Sequence, residues 1–135
     1  MNDDDDNSSP LTTVQSMYEA FGRADETRLR ELIAPDVEWI QCDGFPGGEH
    51  RRGIDSVLAG VLHGNRSTWQ GFAVTIDRYV AGGDDVVALG SYTGTHSGTR
   101  KPMRAVFAHA YRVTDGRITR FEQYCDTWPM VRAMQ

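Results

Sequence analysis

The chain has 135 residues, 14 Lys and Arg against 19 Asp and Glu, a net charge of −5 and two cysteines. That size suits one domain with a core of its own and no disulfide staples, and the acidic balance excludes nucleic acid and anionic membrane as default partners, because gripping phosphates draws on clustered Lys and Arg. No apolar run can span a bilayer, no export signal opens the chain, and Cys42 and Cys125 lack CxxC spacing, which together predict a cytoplasmic protein with reduced thiols.

Met1 to Ser9 is a run of Asp, Asn and Ser that cannot bury apolar area, so it is expected to be a disordered acidic tail, with the domain spanning 10–135. Ser9 as N-cap and Pro10 in the first turn start a helix in which Val14, Met17, Tyr18 and Phe21 recur at helical spacing. Gly22 is expected to end it. Asp25 caps a second helix carrying Leu29, Leu32 and Ile33, which stops before Pro35 because the residue preceding proline avoids the helical region. Val37 to Cys42 reads as a strand, and the glycine-rich Gly44 to Gly53 as a loop of the kind that lines a mouth.

Ile54, Val57, Leu58, Val61 and Leu62 mark a third helix ending near His63-Gly64. From Trp69 the period changes, and Phe72 to Val80, Asp85 to Thr95, Met103 to Val113 and Arg117 to Cys125 read as strands. Helices followed by a run of antiparallel strands indicate an α+β architecture.

The last two strands form a hairpin whose loop decides which side chains share a face, since a one-residue slip turns a strand over. A two-residue loop at Asp115-Gly116 would set Phe107, His109 and Tyr111 beside Arg120, Glu122 and Tyr124. A three-residue loop, with Gly116 left-handed, sets them beside Phe121, Gln123 and Cys125. The second is chosen, because it gathers the rings, a histidine, an amide and a thiol on one face. His109 then lies across from Phe121 and diagonal to Gln123.

The strand entry Ala34-Pro35-Asp36-Val37-Glu38-Trp39, with Ala24-Asp25 before it and Gly53-Ile54-Asp55-Ser56-Val57 after it, resembles the nuclear-transport-factor-2-like superfamily. The ending Phe107-Ala108-His109-Ala110-Tyr111, Asp115-Gly116-Arg117-Ile118 and Phe121-Glu122-Gln123-Tyr124-Cys125-Asp126-Thr127 is similar to its SnoaL-like, ketosteroid-isomerase-related branch. The resemblance implies a cone, in which a strongly curved, mostly antiparallel sheet is closed by three helices around one pocket. It also implies a homodimer through the outer sheet face, to which small Val106, Ala108 and Ala110 are suited.

Carried over by position, the isomerase tyrosine falls on Met17 with Tyr18 beside it, the base on Gln41 with Asp43 two residues on, and the protonated acid on His109. The histidine and aspartate of SnoaL-type cyclases match His109 and Gln123. An amide at that second position argues against epoxide hydrolysis, because it cannot take a proton from water. His109 has an unperturbed pKa near neutrality and is the expected proton shuttle. Gln123 is the expected oxygen-polarising group, and a buried Asp43 an optional base.

Tyr18, Trp39, Gln41, Met103, Phe107, Tyr111, Phe121 and Cys125, with Trp128, are expected to line a broad apolar pocket. His50, His63 and His96 show no metal-ligand spacing, so no metal is expected. These readings favour a cofactor-independent isomerase, cyclase or dehydratase acting on a small hydrophobic carbonyl compound such as a polyketide, steroid or terpenoid. The alternatives are a non-catalytic domain that binds a similar ligand and a dimerisation module with a filled cone.

Overall fold

The structure, a computed structural model, describes residues 9–135; the expected acidic tail lies outside these residues apart from Ser9. Two helices, α1 (Pro10–Arg23) and α2 (Glu26–Leu32), lead into strands β1 (Ile33–Ile40) and β2 (His50–Arg52). Helix α3 (Ile54–Val57) then runs through a π-helical stretch (Leu58–His63) into α4 (Gly64–Thr68). Four long strands follow, β3 (Trp69–Gly82), β4 (Asp85–His96), β5 (Pro102–Thr114) and β6 (Arg117–Cys125), and helix α5 (Trp128–Ala133) ends the chain. No helix among the described residues is long and apolar enough to cross a membrane.

One sheet holds all six strands in the order β2-β1-β6-β5-β4-β3. Every neighbouring pair is antiparallel except β1 and β6, which run parallel. The sheet is curved and unclosed, and the helices complete the α+β cone. Bulges drive the curvature: β3 breaks register against β4 between Gln70 and Ala73 and again between Ile76 and Arg78. At the second break the chains come so close that a Cβ on Gly90 would run into the Thr75 carbonyl oxygen. Only glycine fits there.

Local chemistry explains most element ends. The Ser9 hydroxyl accepts from Thr12 N–H at 3.2 Å, which caps α1. The helix passes through Gly22 and stops at Ala24 instead, whose left-handed φ of 53° turns the Asp25 N–H back to the Ala20 carbonyl. Strand β1 starts at Ile33, earlier than expected, and tolerates Pro35 because its pairing with β6 is irregular between Ile33 and Glu38. It also ends earlier, at Ile40. The expected loop Gly44 to Gly53 contains the short edge strand β2, the third helix continues past Gly64 to Thr68, and α5 was not foreseen.

The hairpin corrects one expectation and keeps its consequence. Its loop has two residues, Asp115 (φ 52°) and Gly116 (φ 78°), with Thr114 opposite Arg117. A bulge between Arg112 and Val113 then shifts the register, so that Phe107 faces Cys125, His109 faces Gln123 and Tyr111 faces Phe121. The bulge, not the loop, supplies the offset that turns β6 over. As a result the residue directly across from His109 is Gln123, and Phe121 lies across from Tyr111.

Two apolar clusters fill the cone. The larger lies between the sheet and the helices, including Val14, Met17, Leu29, Val57, Ile118 and Phe121. The smaller joins Phe45, Trp69, Met103, Phe107 and Met130 at the end covered by α5.

Candidate functional site

Between the two clusters the sheet's inner face and α1 enclose a cavity of about 300 Å³. Its wall is mostly apolar, with Met17, Phe21, Trp39, Phe45, Phe72 and Phe121 among the lining side chains. Among the described residues no carboxylate lines it, and the one permanently charged lining side chain is the exposed Arg66, whose guanidinium donates to the Phe21 and Gly22 carbonyls at the end of α1, both at 3.4 Å.

The polar wall is built from alternation. His109 and Tyr111 project from the same side of β5. Gln123 stands opposite His109 on β6, and Ala88 opposite it on β4 leaves room for the imidazole. Tyr92, four residues beyond Ala88, shares that face, while Tyr18 reaches in from α1. The imidazole is stacked on Phe107, with ring centroids 3.8 Å apart and planes 10° from parallel, and the Phe121 ring meets it edge-on at 4.9 Å.

One hydrogen-bonded chain links these groups. The Tyr111 hydroxyl donates to the Tyr18 oxygen at 2.8 Å. Tyr18 in turn is 2.7 Å from His109 Nδ1, and Tyr92 is 2.5 Å from His109 Nε2. The Gln123 amide donates from Nε2 to the Tyr92 oxygen at 2.9 Å. That amide cannot flip without loss, because its Oε1 accepts the Cys42 backbone N–H at 3.1 Å and the thiol at 3.5 Å.

Proton counting gives the chain its chemical meaning. A neutral imidazole has one N–H and one lone pair. If Nε2 carries the hydrogen, Tyr18 donates to Nδ1, and Tyr92 accepts from both His109 and Gln123. The Tyr92 hydroxyl hydrogen is then uncommitted. If Nδ1 carries it, Tyr92 donates to Nε2, Tyr18 accepts from both Tyr111 and His109, and the free hydrogen is Tyr18's. Either tautomer leaves one tyrosine O–H available at the cavity wall.

Burial keeps every member neutral. His109 is 4 % exposed, and desolvation pushes its pKa down to about 3, so the expected near-neutral value is corrected. The same burial raises the Tyr18, Tyr92 and Tyr111 hydroxyls well above the ordinary phenol range. Desolvation also raises Cys42 and pushes Cys125 up to about 12, so neither thiol is ionised near neutral pH. Among the described residues no group of three or more His, Cys, Asp or Glu is placed to hold a metal ion.

Of the residues singled out in the sequence, His109, Gln123, Tyr18, Trp39, Gln41, Tyr111 and Phe121 line the cavity. Asp43 does not. It sits exposed in the turn after β1, because the strand it was expected to continue has ended at Ile40 and the chain swings away at Gly44 (φ 85°). Met103, Phe107 and Cys125 belong to the smaller cluster behind the wall, where Phe107 supports the imidazole from below. Trp128 is 55 % exposed on α5. Sequence reasoning missed Tyr92, Phe45, Phe72, Asn65 and Arg66. Tyr92 was accessible to it, since counting by twos from Val86 and Ala88 along β4 reaches Tyr92 on the inner face.

Comparison with known proteins places this geometry. The family model described as SnoaL-like domain matches residues 14–121. A search of curated proteins gives no match. Among solved structures, an NTF2-like protein from Burkholderia thailandensis is 34% identical, with 94% of this chain and 98% of that one covered and a TM-score of 0.89. An NTF2-like protein of unknown function from Burkholderia pseudomallei is 29% identical, with 93% and 97% covered and a TM-score of 0.83. IdmH from Streptomyces antibioticus, a proposed polyketide cyclase, is 29% identical, with 93% and 98% covered and a TM-score of 0.78. The match over 14–121 and the shared cone show that the chain belongs to the SnoaL-like domain family, within the NTF2-like fold.

Proposed function

We propose that the protein is a cofactor-independent isomerase or cyclase that moves a proton between two positions of a small hydrophobic carbonyl compound. The observation that carries this reading is the chain Tyr111–Tyr18–His109–Tyr92–Gln123, which presents one uncommitted hydroxyl hydrogen to an apolar cavity. Its likeness to the proposed cyclase IdmH supports the same class.

The relay needs no ionised group, which suits a site where burial opposes ionisation at every member. A substrate enol O–H donates its proton to the Tyr18 oxygen as Tyr18 passes its own to His109 Nδ1. His109 releases the Nε2 hydrogen to Tyr92, and Tyr92 delivers its proton to a carbon or carbonyl oxygen of the substrate. Charge is conserved at each group, and the imidazole finishes as the other tautomer; after product release a water gives a proton to Tyr92 as Tyr18 returns one to water, which runs the relay backward and restores the Nε2–H form. Delivery to carbon is an isomerisation. Delivery to an oxygen, while the enol carbon attacks that carbonyl, closes a ring. His109 is thus a relay between two hydroxyls, and Gln123 a positioning residue that holds Tyr92. Asp43, exposed and not among the lining residues, has no part in this relay.

The test is the conversion of the enol of 1-phenyl-1,3-butanedione to its ketone, followed by loss of enol absorbance. The wild-type protein should accelerate it, and His109→Ala should lower the turnover number by about 10²-fold or more. Binding of this compound without acceleration would instead identify a ligand-binding domain, the reading favoured by a cavity with no lining carboxylate among the described residues.

We also propose a homodimer through the outer sheet face, where Val106 and Tyr124 are 49 % and 58 % exposed on adjacent strands. Sedimentation should give about twice the monomer mass, and Val106→Arg with Tyr124→Arg should restore the monomer. A wild-type monomer at high micromolar concentration would rule this out.

A further inference from the structure

We infer that the mouth of the cavity carries an anion subsite, in which the Arg66 guanidinium, with Asn65 beside it, takes the carboxylate of a ligand whose apolar body enters the cavity. The inference rests on the reading above that the substrate occupies this cavity, and it adds that the substrate is a hydrophobic acid bound with its charged end outward.

Burial along the lining tells the two ends of the cavity apart. Trp39, Phe45, Tyr92, His109, Phe121 and Gln123 are buried and form its floor. Gly22, Arg66, Ala73 and Val74 line it yet are exposed, so the opening lies between the end of α1, helix α4 and strand β3. The floor holds no cation among the described residues, and the desolvation that keeps His109 neutral would act equally on a carboxylate placed beside it. A charged ligand group is therefore tolerated only at the mouth, where water reaches it and Arg66 stands.

Arg66 has hydrogen-bonding capacity to spare. Among the described residues only its Nη2 is engaged, and its two bonds to the Phe21 and Gly22 carbonyls, at 3.4 Å each, are long. A guanidinium carries five N–H donors in a planar fork, so the Nε and Nη1 edge is left for an acceptor. No carboxylate among the described residues forms an ion pair with it. Arg51 gives the contrast, since it is bonded to Gln41, Gly47 and Glu49 and does not line the cavity. Asn65, half-buried in the same lining as Arg66, adds an amide that can donate. The carbonyls at the end of α1 carry the negative end of the helix dipole, so a mouth without Arg66 would repel an anion. One guanidinium matches one carboxylate, whereas a phosphate dianion calls for more positive charge than the lining holds. A hydrophobic keto acid suits both ends, with its carbonyl toward the tyrosine hydroxyls and its carboxylate toward solvent.

Titration of ¹⁵N-labelled full-length protein with 4-phenylbutanoate and with 4-phenylbutanamide, at about pH 6, tests this directly. The two probes share a shape and differ in charge. The Arg66 Nε–H resonance, assigned by its loss in Arg66→Gln, should move with the carboxylate and stay near its free position with the amide. Acetate at the same concentration should leave it unmoved, because the apolar body supplies most of the binding. The ratio of the two dissociation constants, amide over carboxylate, should fall about three- to fivefold in Arg66→Gln, the effect of one partly solvated ion pair. A guanidinium resonance that ignores the carboxylate overturns the inference, and so does an equal response to acetate, which would mean an ordinary surface charge. A ratio unchanged within twofold overturns it as well, including the case in which both probes weaken together because Arg66 only holds the end of α1. Failure of both probes to bind at millimolar concentration has the same consequence. The wild-type resonance needs no variant, so a poorly folded substitution leaves the test intact. A responding guanidinium in a protein that never accelerates the enol reaction would sink the relay and keep the subsite. An active relay with a silent guanidinium would do the reverse.

Discussion

Between pH 6.5 and about pH 4, wild-type protein should lose unfolding free energy faster than a His109→Gln variant, the difference approaching ~1.4 kcal/mol per pH unit. The cause is the buried imidazole, held near pKa 3 in the folded chain and returning to about 6.5 when unfolded. The folded value is the lower one. Above pH 6.5 neither state binds the proton and the group contributes no slope. As pH falls, the unfolded chain is protonated first, and stability drains away until the folded form also binds the proton near pH 3. The full loss is on the order of 5 kcal/mol, a large part of what a domain of this size possesses. Urea denaturation at pH 7, 6, 5 and 4.5 measures it. Contributions from the other histidines and from carboxylates cancel in the comparison, since they are common to both chains. Parallel curves for wild type and variant would mean that His109 is solvated or already charged, and the neutral relay would go with it.

Tyr92→Phe should lower turnover of the enol probe by about 10²- to 10⁴-fold, whereas Tyr111→Phe should cost less than about tenfold. The asymmetry follows from position in the chain. Tyr92 shares a hydrogen bond with His109, accepts one from Gln123 and in the proposed relay is one of the two hydroxyls that meet the substrate. Tyr111 only donates inward to Tyr18, so its loss leaves the path from Tyr18 to Tyr92 unbroken. Packing changes little in either case. The Tyr92 ring lies against Phe107 at 4.5 Å and Phe72 at 5.4 Å, and a phenyl group keeps both contacts. Initial rates over a range of substrate concentrations separate the effects, since loss of the relay appears in kcat and loss of fit in KM. Equal effects of the two substitutions would show that the hydroxyls act as packing and not as a path.

The imidazole and amide were visible in the sequence because strand alternation is a strong local rule and β5 obeys it from Met103 to Val113. Their direct opposition was not visible. It depends on a bulge between Arg112 and Val113 that no turn residue announces. Asp43 misled for a related reason, since its placement assumed that β1 continues past Ile40. Alternation along β4 could have put Tyr92 on the inner face, but its partner was not legible, because β4 and β5 are joined by a longer connection without a tight-turn register and only the folded sheet sets Tyr92 beside His109.

By itself, then, the sequence determined the order of the first helices and the long strands, the inner face of β5 and the SnoaL-like resemblance, because each of these is written in spacing between near neighbours. The tertiary structure alone decided that the imidazole is neutral and that both its nitrogens meet tyrosine hydroxyls. Those properties depend on burial and on contacts between residues as far apart as Tyr18 and His109. No local pattern encodes a desolvation cost, which arises only when the sheet curves and the helices exclude water from its inner face.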